Sequence, residues 1–277
     1  MKKLRQTVLE HPFILSACVF FLASFLCVIS VEPTVKLLEK YMDTRKATFL
    51  YYTVYQALWA IIMLPVIKGA GILETAGFTK PKEWKQVWLC WPLVTMVVIS
   101  GWDIFSGNMK FNTSEPAVFI IYILLNVSVG FYEEIIGRSF ILNLMLQKWG
   151  KTKKGIYRAV FTSSLLFGVL HLTTVILGKR ELIPGIAQVF YAIFFGVFFA
   201  ACFIRNNSVW PMIFVHAFVD MIGCAGGLTD RFGQTEQANI SNTFIVVLLD
   251  LPLLLYGIFL LRKVNPSDIS SRNSLNY

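Results

Sequence analysis

Charge is scarce in this sequence. Asp, Glu, Lys and Arg make up 15% of its 277 residues, against about a quarter in an average soluble domain. Hydrophobic residues make up 56%, and the mean hydropathy is +0.64. A soluble globule of this composition could not cover its apolar surface, and a disordered chain is excluded on the same grounds. Cysteine is sparse too. Cys18, Cys27, Cys90, Cys202 and Cys224 all lie in or beside apolar runs, and no two form a CxxC pair. They read as small hydrophobes, which excludes a secreted disulfide scaffold and a thiolate zinc site. Internal repeats, low-complexity linkers and a sustained heptad pattern are also lacking. What remains is an all-α, polytopic transmembrane helix bundle, whose few polar residues carry the information.

The excess of Lys and Arg over Asp and Glu, 25 to 16, gives a formal charge of +9. No basic stripe interleaves with aromatics on a polar face, so nucleic acid is not an expected partner. The basic residues sit between apolar runs, where they orient the chain and meet anionic lipid headgroups.

A span needs about 20 apolar residues. Eight stretches qualify, for about eight spans: 13–31, 49–67, 87–105, 117–137, 158–177, 186–204, 208–226 and 243–261. The first follows Lys2, Lys3 and Arg5 and has no small-x-small site after it, so an uncleaved span is expected rather than a signal peptide. Residues 68–86 are too polar to cross and are expected partly along the interface. The run Ser139–Trp149 is expected to extend span four toward the interface. Placing the N-terminus inside puts sixteen basic residues on the cytoplasmic side, Lys85 and Arg272 among them, against eight opposite. The expectation is a multi-pass protein of the cell membrane with both termini cytoplasmic. Trp84, Trp88 and Trp91 read as part of an aromatic belt.

Ionisable side chains inside a span are costly and mark candidate functional sites. Spans four, five and seven hold Glu133, Glu134, Arg138, His171, His216 and Asp220, including two of only three histidines. Glu134 and Arg138 are one helical turn apart and share a face, so they suit an ion pair. Glu133 is rotated about 100° away and is the less easily satisfied carboxylate. Taken alone, Glu134 with Arg138 reads first as a structural clamp, His171 as a packing histidine, and His216 with Asp220 as a proton-relay element. Together, on three helices, they suit activation of a water. Asp103 and Asp250 are further acids without a partner pattern.

Depth is a check on this grouping. Glu133 lies about 17 residues into span four, roughly 25 Å from its outer end, and His216 roughly 12 Å from the inner end of span seven. Both fit the cytoplasmic half. His171, roughly 20 Å from Arg158, falls too deep for the same layer.

The residues form three ordered motifs. Glu133-Glu134-Ile135-Ile136-Gly137-Arg138 fits EExxxR, Phe167–His171 fits FxxxH, and His216–Asp220 fits HxxxN/D. In order and spacing the chain resembles the CPBP family of intramembrane proteases, which includes the type II CAAX prenyl proteases and bacterial bacteriocin-processing and self-immunity proteins. The resemblance covers about residues 116–225, which it implies are a catalytic core. Residues 1–115 would then be N-terminal spans with an interfacial segment, and 226–277 the last span and a cytoplasmic tail.

The resemblance implies an endopeptidase acting on a membrane-bound protein or peptide within the lipid bilayer. Glu133 would be the general base and His171 would hold the same water. Arg138 would clamp Glu134, and His216 with Asp220 would stabilise the oxyanion or complete a metal site. A divalent metal such as zinc suits some of these donors, but there is no HExxH, and a metal-independent, glutamate-dependent reaction is favoured. Two features depart from the family pattern. Gly137 and Ser139 flank the arginine, and Asp220 stands where the prenyl proteases typically carry Asn. An anionic Asp repels an oxyanion, so it must be protonated, orient His216 or bind a cation. The alternatives are a non-enzymatic immunity or scaffold protein of the same fold and a proton-coupled transporter.

Overall fold

A computed structural model describes residues 10–84, 86–112, 115–234 and 240–274. The basic residues Lys2, Lys3, Arg5 and Lys85 lie outside the described residues, as does the side chain of Arg272. Among the described residues the protein is all helical, and six helices are long and apolar enough to cross a membrane. These are α1 (Pro12–Leu38), α2 (Thr44–Gly69), α4 (Pro116–Trp149), α5 (Lys153–Leu170, with a short turn to Ile176), α6 (Leu182–Asn206) and α8 (Ile240–Arg262). Two shorter apolar helices, α3 (Trp91–Ser100) and α7 (Trp210–Gly223), stand where the third and seventh spans are expected. A last helix, α9, covers Pro266–Ser274.

Local chemistry sets the helix starts. Proline stands in the first turn of α1 (Pro12), α4 (Pro116) and α7 (Pro211), where its missing N–H costs no helical bond. Asp43 caps α2 by accepting from the Lys46 N–H at 3.0 Å, and Thr152 caps α5 by accepting from Gly155 at 3.1 Å. α6 ends at Asn207, which takes the left-handed conformation (φ 57°). The far end of α8 is closed by a neighbour instead. Lys153 Nζ donates to the carbonyls of Leu261, Arg262 and Val264 at 2.5–2.9 Å.

The helices pack through close backbone approach, as expected where lipid removes the hydrophobic drive between helices. α6 packs against α5 and α8, and α4 against α2 and α7. A Cβ added at Gly130 on α4 would lie 2.6 Å from the Ile213 carbonyl oxygen of α7. Only glycine permits that crossing, which sits one turn from Glu133. The core runs through the middle of the bundle, with Phe140, Phe198, Phe199 and Phe203 among its fully buried side chains. Many large apolar side chains of α1, α3 and α8, among them Phe21, Val94 and Leu255, point outward, as lipid-facing surfaces do.

Two departures from the expected spans position the site. First, α4 continues past residue 137 to Trp149, as expected, but through a π-helical stretch, Ile135–Leu142, all eight residues of which are buried. π stretches within α-helices recur at functional sites. The expected interfacial extension is therefore core. Second, α7 starts inside the protein. Asn206, Ser208 and Val209 are fully buried, and the segment after α2 folds over them. Gly77 accepts from Val209 N at 2.9 Å, and Thr79 Oγ1 donates to the Asn207 carbonyl at 3.2 Å. Gln86 N donates to Asn206 Oδ1 at 2.9 Å. Residues 70–84 thus form a cover with a buried underside (Ile72, Thr75, Ala76) and an exposed outer stretch at Lys80–Glu83.

The first departure also removes the depth mismatch of His171. α4 runs sixteen residues past Glu133 to Trp149, and α5 runs eighteen residues from Lys153 to His171. At 1.5 Å per residue these are roughly 24 and 27 Å from the same tight turn, one layer in the bundle.

Candidate active site

The imidazole of His216 is the hub of the polar group. It projects from α7, and its ring stacks on Phe199 of α6 with centroids 5.3 Å apart and planes 18° apart. Nδ1 lies 2.8 Å from Glu134 Oε1. An ionised carboxylate has no hydrogen to give, so Nδ1 is the donor and Glu134 the acceptor. Nε2 points the other way, 3.5 Å from Glu133 Oε2 and 3.6 Å from Asp220 Oδ2.

Glu134 is sealed. Its side chain is 0% exposed, and Oε1 accepts from Arg138 Nη1 at 3.0 Å as well as from His216. Arg138 is itself held between two rings, with its guanidinium carbon 4.9 Å from the Phe167 centroid and 5.3 Å from that of Phe199. A buried ion pair recovers its desolvation cost only with good geometry and added hydrogen bonds. Here the additions are the His216 N–H and the two aromatic faces. Glu133 differs: its side chain is 21% exposed and Asp220's is 27%. The two adjacent glutamates therefore sit on opposite sides of one imidazole, one enclosed and one reachable.

His171 stands at the C-cap of α5. Its Nδ1 is 3.0 Å from the Phe167 carbonyl, which can only accept, so Nδ1 carries the proton and Nε2 is left with a lone pair. Its ring meets that of Phe167 edge-on, with centroids 5.0 Å apart. Phe167 thus touches both His171 and Arg138.

Of the residues singled out in the sequence, Glu133, Glu134, Arg138, His216 and Asp220 share direct contacts, and His171 joins them through Phe167. Asp250 is buried on α8. Asp103 lines a cavity of about 230 Å³ between the loops at 103–110 and 229–231, with Asn108, Lys110, Asp230 and Arg231. Phe199 was not visible as a site residue in the sequence. It is one of many phenylalanines in α6, and no spacing distinguishes the one under His216. Among the described residues no three His, Cys, Asp or Glu side chains are grouped to hold a metal ion.

Residues 115–222 match the family model described as type II CAAX prenyl endopeptidase, Rce1-like. The match spans the three helices that carry the polar group and supports the CPBP/CAAX protease family read from the motifs. No curated protein and no solved structure matches the chain.

Proposed function

We propose that this multi-pass membrane protein, a CAAX-protease-like intramembrane endopeptidase in its family character, hydrolyses a peptide bond in a membrane-bound protein or peptide with a water activated by Glu133. The observation that carries this reading is the asymmetry of the two glutamates. Glu134 is committed to Arg138 and His216, whereas Glu133 is partly exposed, and its closest polar contact is His216 Nε2 at 3.5 Å.

The chemistry follows from those positions. Glu133 takes a proton from a water, whose oxygen attacks the scissile carbonyl carbon, and the carbonyl oxygen becomes an oxyanion. His171, protonated on Nδ1 by its bond to Phe167, offers the Nε2 lone pair to the water's second hydrogen. His216 faces the reacting side through Nε2, and protonation there supplies a donor for the oxyanion. Collapse of the tetrahedral intermediate breaks the C–N bond, and the proton held by Glu133 passes to the leaving amine. Asp220 has its nearest partner in His216 Nε2 at 3.6 Å, which favours an orienting role among the three open to an acid at that position. Glu134 and Arg138 hold the imidazole from behind. Both termini would be cytoplasmic, with the 70–84 cover on the same side.

The test is cleavage by the purified protein in liposomes, with a panel of membrane-anchored peptides and mass-spectrometric readout. Wild type should release fragments and Glu133→Gln none, at equal folded amounts. Equal cleavage by both would overturn the reading.

A further inference from the structure

Arg138 has a second edge. Nη1 bonds Glu134, but Nε and Nη2 are buried with no hydrogen-bond partner among the described residues. Leaving charged donors unsatisfied in an interior is costly, so their surroundings matter. Arg138 also lines a cavity of about 10 Å³, with Gly137, Ser163, Ser164, Phe167 and Gly196. Ser163 Oγ is already used, donating to the Val160 carbonyl at 2.9 Å. Ser164 Oγ is not: it is buried, lines the same cavity and has no partner among the described residues. Gly196 of α6 closes the space, since a Cβ there would lie 2.8 Å from Ser164 Cβ and 2.9 Å from Ser164 Oγ.

We propose that this cavity binds one water molecule, which accepts from Arg138 Nε–H and Nη2–H and donates to Ser164 Oγ, making Ser164 a positioning residue for His216. The size fits a single water and no polyatomic ion: about 10–15 Å³ is the least that holds one. The polar lining fits as well. A buried water makes two to four hydrogen bonds, and three converge here with the right sense, two donors on a cation and one hydroxyl acceptor. The bound water ties α5 to the guanidinium that α4 presents. The resulting chain runs Ser164, water, Arg138, Glu134 Oε1, His216 Nδ1, and it fixes where Nε2 points relative to Glu133 and Asp220. Ser164 touches no reacting atom and acts only through Arg138.

The site is tested first on the wild-type full chain, by a structure in lipid at a resolution that shows ordered water. A water is expected within about 2.7–3.2 Å of Arg138 Nε, Arg138 Nη2 and Ser164 Oγ. An empty cavity, or a Ser164 hydroxyl bonded directly to the guanidinium, overturns the site.

The positioning role rests on the protease reading and is tested by Ser164→Ala in the same liposomes. kcat should fall about tenfold with KM unchanged and the pH profile of kcat displaced. Unchanged kcat and pH profile would overturn the role. A second readout needs no activity: the His216 Nδ1–H proton resonance in histidine-labelled protein should move in Ser164→Ala, and an unmoved resonance also overturns the role. A wild type that cleaves nothing while holding the water and showing that shift would sink the protease reading and leave this site standing.

Discussion

The two sides of His216 are built from the same kinds of side chain to opposite ends. Behind the ring, Glu134 and Arg138 are all but fully buried, bonded to each other, and closed in by Phe167 and Phe199. In front, Glu133 and Asp220 keep about a fifth to a quarter of their surface and reach the ring only at 3.5–3.6 Å. A carboxylate whose charge is held by an arginine and an imidazole N–H, both on one oxygen, is a poor base, because those bonds must be weakened before it takes a proton. One with few donors remains a better one. Neighbouring residues of a single helix are thus divided between holding and reacting, and the dividing element is an imidazole from another helix.

The contrast predicts different failures on the two sides. Glu133→Gln should lower cleavage by about 10³-fold or more, within the range of lost general acid–base catalysis, and leave the unfolding temperature in detergent unchanged. Arg138→Leu should instead unfold the protein. Removing one partner of a buried pair costs about 3–5 kcal/mol, which a thermal melt reads directly. If the two variants behaved alike in both assays, the division would be wrong. Gly130→Ala attacks the seam between the halves. Its Cβ would meet the Ile213 carbonyl oxygen at 2.6 Å, pushing α7 and its histidine off α4. A loss of about 1–3 kcal/mol should come with a clear loss of activity, measured on the same samples.

Two smaller effects sharpen the picture. Asp220→Asn keeps the size of the side chain and the dipole facing His216 Nε2 while removing the charge, so kcat/KM should change by no more than about tenfold. A change as large as that of Glu133→Gln would give Asp220 a direct chemical role. Lys153→Ala removes three hydrogen bonds at the end of α8, far from the imidazole. It should cost about 1–3 kcal/mol in the melt and leave the kcat of the folded fraction intact.

Much of the site was legible in the sequence because charge in an apolar helix is rare and costly. Glu133, Glu134, Arg138, His216 and Asp220 stood out on that ground, and spacing alone paired Glu134 with Arg138. The aromatic walls were not legible, because Phe199 lies in a helix where phenylalanine is common and only tertiary contact selects it. The π stretch at Ile135–Leu142 has no compositional signature, so its burial is not legible in the sequence. Residues 68–86 read as partly interfacial because their polarity forbids crossing. Their bonds to Asn206, Asn207 and Val209 span more than a hundred residues of sequence, and no local pattern encodes them. The same cover encloses the start of α7, where Ser208 and Val209 are fully buried.

The division of labour between the glutamates is tested most directly in native membranes. Peptides should be compared by mass spectrometry between cells producing wild type, Glu133→Gln or no protein, with the folded amount of each variant matched. A set of cleavage products present with wild type and missing from both of the others is the predicted result. Identical products from wild type and Glu133→Gln would contradict it.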